Sequence, residues 1–269
     1  MGTADLLEAR LGDAIERCER GIPTHLSFLT PRDRVRAERL LRACGAWDRA
    51  FFWGGYATAE RACLFLLPDY LTACLSALPI ECDPDEVLAL LGEECTDAVS
   101  AVWIGGSGYH ALSHRDFLGA ILGLGLERDA LGDVAVQSEH AAVLFCPRAL
   151  VPFLEENLSK VGADTVRVRP YTPDGNFTDG RHYRAISDTV ASERLDCVIA
   201  SLCNLSRDAA QALIRSGAVE VDFEPAERVD LLLSPPATIS ARGYGRFILR
   251  AFDGETRKGR LRLRADQLV

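Results

Sequence analysis

Arg207, Gln211 and Arg215 recur every four residues in "LSRDAAQALIRSGAVEVD", a spacing that puts two guanidiniums and an amide on one stripe of a helix. Guanidiniums flanking an amide suit phosphates and base edges; a solvated helix face is the plain alternative. Ser206 is placed to cap this helix and Gly217 to end it, with Ala210, Leu213 and Ile214 on its apolar side. A second cluster follows. Between Arg242 and Arg264 stand eight basic residues, including Arg242, Arg246 and Arg250, against Asp253 and Glu255. That is +6 in a chain of net charge -9, leaving -15 for the remainder. In "KGRLRLR", Lys258, Arg260, Arg262 and Arg264 alternate with Gly259, Leu261 and Leu263, so a strand would carry four cations on one face. No acid inside the run relieves their repulsion. Basic side chains can protect an edge strand from aggregation, but a polyanion would neutralise the whole row. The spacing therefore predicts a phosphate-facing rim beside the capped helix.

Other candidate chemistry is sparser. Gly106, Gly108 and Ala111 in "AVWIGGSGYHALSHRDF" fit G-x-G-x-x-A between a strand and a helix, as in a dinucleotide or S-adenosylmethionine site. The two strands expected after that helix are joined by a tight turn, which is not a βαβ repeat, and no acid ends the next strand to hold a ribose. His110 and His114 are four apart, but no Cys, Asp or Glu cluster completes a metal shell. There is no nucleophile elbow, Walker loop or H-E-x-x-H pattern. No catalytic residue, cofactor or metal is expected.

The elements that must position these residues fall into an α+β pattern. "LLEARLGDAIERCERG" has helical periodicity, and "LTPRDRVRAERLLRACG" reads as a helix with Thr30 at its cap, Pro31 in the first turn and Gly45 beyond its end. "AFFWGGY" and "ACLFLLP" read as strands turning at Gly54-Gly55, and "DPDEVLALLG" as a capped helix, so residues 1–94 form an N-terminal α/β unit. Residues 95–172 follow the order β-α-β-β-α-β of a ferredoxin-like domain, shared by RNA-recognition modules and many enzymes. "TPDGNFTDGRHYRAISDT" is rich in turn residues, so 173–191 is expected to be a linker. Residues 192–269 hold two short helices and then short strands.

At 269 residues and 48% hydrophobic, the chain has ample core for several small domains. The start "MGTADLLEARLGD" lacks a secretory pattern, and the most apolar run is far short of the ~20 residues that span a bilayer. Nine cysteines without C-x-x-C spacing fit reduced, buried thiols and a cytoplasmic setting.

"RLDCVIASLCNLSRDAAQALIRSGAVEVD" followed by "ISARGYGRF" resembles the RNA-binding domain first seen in the fourth protein of the small ribosomal subunit, the S-four domain. With "FLTPRDRVRAERLL", "GGYATAERACLFLLPDYL" and "HRDFLGAILGLGLERDALGDV" upstream, nearly the whole chain resembles the bacterial YlmH family, whose S-four domain is C-terminal. The resemblance implies a cytosolic protein that binds ribosomal RNA or tRNA on the large ribosomal subunit and handles stalled peptidyl-tRNA complexes; the family was earlier linked to cell division. Carried over by position, its RNA contacts would be Arg194, Ser206, Arg207, Gln211 and Arg215, with Arg242 and Arg246 on the strands that follow. The rival readings are a methyltransferase using the Gly106/Gly108 loop and a protein-interaction scaffold docking through the acidic N-terminal two-thirds.

Overall fold

The computed structural model describes residues 3–75 and 84–269, which form two compact units, Met1–Gly180 and Arg181–Val269. In the first, α1 (Thr3–Glu19) leads into β1 (Thr24–Leu29), then α2 (Pro31–Cys44), β2 (Ala50–Trp53) and β3 (Ala62–Leu66). The ends of α2 follow from local chemistry. Thr30 accepts from the Asp33 amide at 3.1 Å, Pro31 opens the first turn, and Gly45 closes the helix at φ +74°. The strands pair antiparallel in the order β1-β3-β2. One sheet face packs Leu26, Leu64 and Leu66 against Leu11 and Leu41 of α1 and α2; the other carries Phe28, Phe51 and Phe65. β3 is buried on both faces, which is why "ACLFL" is continuously apolar. β1 escapes a simple reading of "THLSFL" because a register shift between Leu26 and Leu29 breaks the period of two and puts Leu26 and Phe28 in different cores.

Next come α3 (Asp69–Thr72), α4 (Pro84–Leu91) and α5 (Glu93–Ala98); the cap expected for "DPDEVLALLG" lies outside the described residues. The following elements are β4 (Ser100–Gly106), α6 (His114–Gly123), β5 (Val134–Ser138), β6 (Ala141–Cys146), α7 (Val151–Asn157), β7 (Lys160–Val161) and β8 (Asp164–Tyr171). Their sheet runs β5-β6-β4-β8-β7, all antiparallel, with β4 at the centre. Without the short β7 hairpin strand this is the split βαβ arrangement expected for residues 95–172. Helices α6 and α7 cover one face through Phe117, Ile121 and Leu154 on Val102, Ile104 and Leu144.

The opposite face corrects the expected boundary at residue 94. Ala101, Val143 and Phe145 are buried against Phe28, Phe51 and Phe65 of the first sheet, so both sheets share one core inside one unit. The loop after β2 belongs to the same packing. Asp133 accepts from the Tyr56 hydroxyl (2.8 Å) and the amides of Glu60 (2.7 Å) and Arg61 (3.2 Å). Arg61 is buried and donates to the carbonyls of Leu131 (2.7 Å) and Arg128 (3.1 Å). "GGYATAER" is therefore a pinned structural loop, longer than a Gly-Gly turn.

The second unit corrects the expected linker 173–191. Tyr183–Val190 is a strand, β9, hydrogen-bonded along its whole length to the last strand of the chain. It precedes α8 (Leu195–Leu202), α9 (Arg207–Arg215), β10 (Val219–Val221), β11 (Glu224–Pro225), β12 (Ala237–Ala241), β13 (Gly245–Glu255) and β14 (Leu261–Leu268). The antiparallel sheet runs β11-β10-β12-β13-β14-β9. Leu195, Ile199, Ala210 and Ile214 of the two helices cover one face over Ile239, Phe247, Leu249 and Leu263. The other face meets solvent, as antiparallel sheets allow.

Candidate nucleic-acid interface

The candidate residues of α8 and α9 converge on a side chain that the spacing arguments left without a role. Asp196, in the first turn of α8, is completely buried. Its carboxylate accepts Nε and Nη2 of Arg194 (both 3.1 Å), Nε of Arg207 (3.0 Å) and Nε2 of Gln211 (2.8 Å). Arg215 continues the chain by donating to Gln211 Oε1 at 3.3 Å. Burial alone would raise the Asp196 pKa. The bonds from Arg194, Gln211 and Arg207 outweigh it and hold the carboxyl well below the ordinary carboxylate range.

One carboxylate thus fixes the planes of two guanidiniums and leaves a local positive excess. The Arg207 side chain stays 55% exposed, and its bond to Asp196 uses Nε alone, which leaves the donors of both terminal amino groups for a further acceptor. Asp196 stands in the "RLD" of the sequence, and its role as a hub depends on Arg207 and Gln211 of the next helix, which no local pattern reveals. Ser206 caps α9 by accepting the Ala209 amide at 3.2 Å, so its hydroxyl is engaged in the fold. Arg242 is exposed in the turn between β12 and β13, and Arg246 stacks its guanidinium over the Phe223 ring at 5.6 Å.

A pH prediction follows from the Asp196 shift. Because the folded pKa lies below the unfolded value of ~3.9, the stabilisation is complete above that value and is lost as pH falls below it. The second unit should keep its melting temperature from pH 7 to about 5 and lose it from about pH 4 downward. Thermal melts of the wild type and an Asp196→Asn variant across that range check this. An equal acid loss in both would assign it to other carboxylates.

The rim is arranged differently from its expected form. Lys258 lies in the turn before β14, and Arg260 folds back onto β9, where Nε donates to Thr189 Oγ1 at 3.0 Å and Nη2 to the Thr189 carbonyl. Arg207 and Arg260 both line a cleft of about 300 Å³ between β9 and α8. Arg262 and Arg264 share the opposite, solvent-facing side of the sheet, since Leu263 between them and Ala265 after them are buried beneath the helices. Neither is on an edge, because β9 flanks β14. The repulsion within the row is relieved from the neighbouring strand, where Asp253 forms a two-pronged ion pair with Arg264; Arg250 likewise meets Asp266 at 2.7 Å. Of the expected row, Arg260 lies beside the helix stripe, while Arg262 and Arg264 do not.

The glycine loop is filled from within. The Ser107 amide donates to Asp164 Oδ2 at 3.0 Å and its hydroxyl donates to Asp164 Oδ1. A Cβ on Gly106 would come within 2.6 Å of the same carboxylate. A buried carboxylate thus occupies the place a phosphate would need, and β4 pairs antiparallel on both sides, unlike a dinucleotide-binding βαβ. His110 lies in the loop and His114 begins α6, so they share no helix face.

Residues 105–173 match the family model described as a putative RNA-binding domain in YlmH. The ribosome-associated protein quality control protein P2 of Bacillus subtilis (strain 168) is 31% identical over 237 residues, covering 88% of this chain and 84% of that protein. Among solved structures, the cell division protein YlmH from Streptococcus pneumoniae aligns with 64% of this chain and 93% of its own, at a TM-score of 0.46 and 19% identity. Among the described residues no helix is long and apolar enough to cross a membrane, and no cluster of three or more His, Cys, Asp or Glu is placed to hold a metal.

Proposed function

Because the chain belongs to the YlmH family, we propose that it is an RNA-binding protein of the ribosome. In this reading it engages ribosomal RNA or tRNA on the large subunit and acts in quality control of stalled peptidyl-tRNA complexes, by binding and without catalysis. The observation that carries it is the kinship over 88% of the chain with a protein named for ribosome-associated quality control. The arginine hub on Asp196 supplies a fitting physical basis: a rigid, positively charged fork on one helix face meets phosphate in two parallel hydrogen bonds.

Sedimentation of lysate through a gradient, with and without ribonuclease, tests this. The chain should travel with large subunits and leave that fraction when RNA is digested. If it stays with ribosomal protein after digestion, docking is to protein and the scaffold reading replaces this one. Single variants refine the test. Arg207→Ala should weaken binding by about 1–3 kcal/mol and Arg262→Ala by less than about 1, because Arg262 acts as a solvated charge on the other side of the sheet. Lysine should rescue position 262 fully but position 207 only in part, since an ammonium makes no bidentate fork. Equal losses from the two alanine variants would remove the helix face as the point of contact.

A further inference from the structure

The sheet face that packs on the N-terminal strands is only half covered. Val143, Ala101 and Phe145 are buried there, yet Trp103, directly opposite Val143, is only partly so. On the other side of β4, Arg169 pairs in register with Trp103 and Arg167 with Gly105, both exposed. The Arg169 guanidinium lies 5.7 Å from the indole centroid, and the Tyr171 ring 5.6 Å away. Gly105 lets the indole lie along the strand, because a Cβ there would stand 2.9 Å from Trp103 Nε1. Tyr171 also borders a cleft of about 560 Å³, with Trp53 and Phe145 as further aromatic walls and Arg148 at its side. No acidic residue stands at the positions of β4, β6 or β8 that face this side, and no ion pair engages Arg167 or Arg169 among the described residues.

We propose that this strip is a second RNA contact, specific for single-stranded RNA. Trp103 and Tyr171 offer base-stacking surfaces, Arg167 and Arg169 meet the phosphates, and the cleft beside Tyr171 accepts an unstacked base. The proposal rests on the RNA-binding reading above and assigns residues to it within the first unit. Aromatic faces flanked by arginines fit unpaired bases, whose π-faces are free, better than a duplex, whose bases are stacked. The N-terminal strands narrow the open face of the sheet to this strip, so only a few nucleotides can lie on it.

The probe is a twelve-residue uridine oligonucleotide, titrated against the full-length chain and cross-linked to it by ultraviolet light. The cross-linked peptides should include Trp103 or Tyr171. The double variant Arg167→Glu/Arg169→Glu should bind at least tenfold more weakly at an unchanged melting temperature, since both side chains are exposed. If that variant binds like the wild type while Arg207→Ala is weakened, this site is overturned and the RNA reading stands. Failure of the oligonucleotide to bind a chain that still sediments with ribosomes also overturns the site alone. Failure of both assays overturns the two readings together. Equal competition by a poly-glutamate peptide would identify an acidic-protein surface and overturn the RNA assignment.

Discussion

Asp196→Asn is expected to abolish most ribosome binding and to destabilise the second unit by about 2 kcal/mol, more than any single change among the arginines around it. The amide keeps the shape and loses the charge that holds Arg194 and Arg207 in place. Its NH2 group would also point a donor at a guanidinium that has only donors. Removing one partner of a buried ionic cluster costs more than the cluster contributes, because the remaining charges are left without compensation. Arg194 and Arg207 are partly solvated, so the penalty stays below that of a fully buried pair. For a unit of this size it amounts to a fall of roughly 10 °C in melting temperature. All three tryptophans, Trp47, Trp53 and Trp103, lie in the first unit, so their fluorescence does not report this loss. Hydrogen exchange at the amides of Val198 and Ile199 in α8 does. Asp196→Asn combined with Arg207→Ala should weaken binding little further, as members of one network are non-additive. An Asp196→Asn protein that binds and exchanges like the wild type would rule out the hub.

Gly55→Ala should be strongly destabilising in the first unit. A Cβ at this position would stand 2.2 Å from Phe145 Cδ1, and the backbone there has φ +100°. The side chain it meets is buried in the core shared by both sheets, so relief requires moving packed atoms. Backbone strain of about 1–2 kcal/mol and overpacking of about 1–3 kcal/mol act together. The melting temperature of the first unit should fall by roughly 5–15 °C. Gly119→Ala is the matched control. Gly119 lies on α6 with nothing within 4 Å of an added Cβ, so alanine there should raise stability by about 0.5–1 kcal/mol. Calorimetry of the two variants should show shifts of opposite sign; shifts of the same sign would contradict the packing around Phe145.

What the sequence disclosed divides along the range of the interactions concerned. The ends of α2 and α9 were legible because Thr30, Gly45, Ser206 and Gly217 act on atoms within a few residues of themselves. The β-α-β-β-α-β order was legible from hydrophobic period, and the sheet it forms has the corresponding strand order. Pairing across long separations was not. "YRAISDTV" contains Arg184 and Asp188 and looks like a loop until β14, more than seventy residues later, supplies its hydrogen bonds. The same holds at the site. Arg207 and Gln211 were placed correctly on one stripe, but the group that immobilises them sits on the preceding helix, and no local pattern marks an aspartate as an acceptor for three side chains. In "KGRLRLR" the alternation holds for Arg262 and Arg264, while the turn at Lys258 and Gly259 breaks it for the first two cations.

The shared core of the two sheets bears on how this protein is made. Phe28, Phe51 and Phe65 are completed by Val143 and Phe145, and Phe145 follows Phe65 by 80 positions in the chain. At roughly 5–20 residues per second, a nascent chain therefore carries an incompletely covered aromatic sheet face for several seconds. During that interval the early strands are open to chaperones and to the wrong partners alike. The first unit cannot complete its folding until more than half of the protein has been translated.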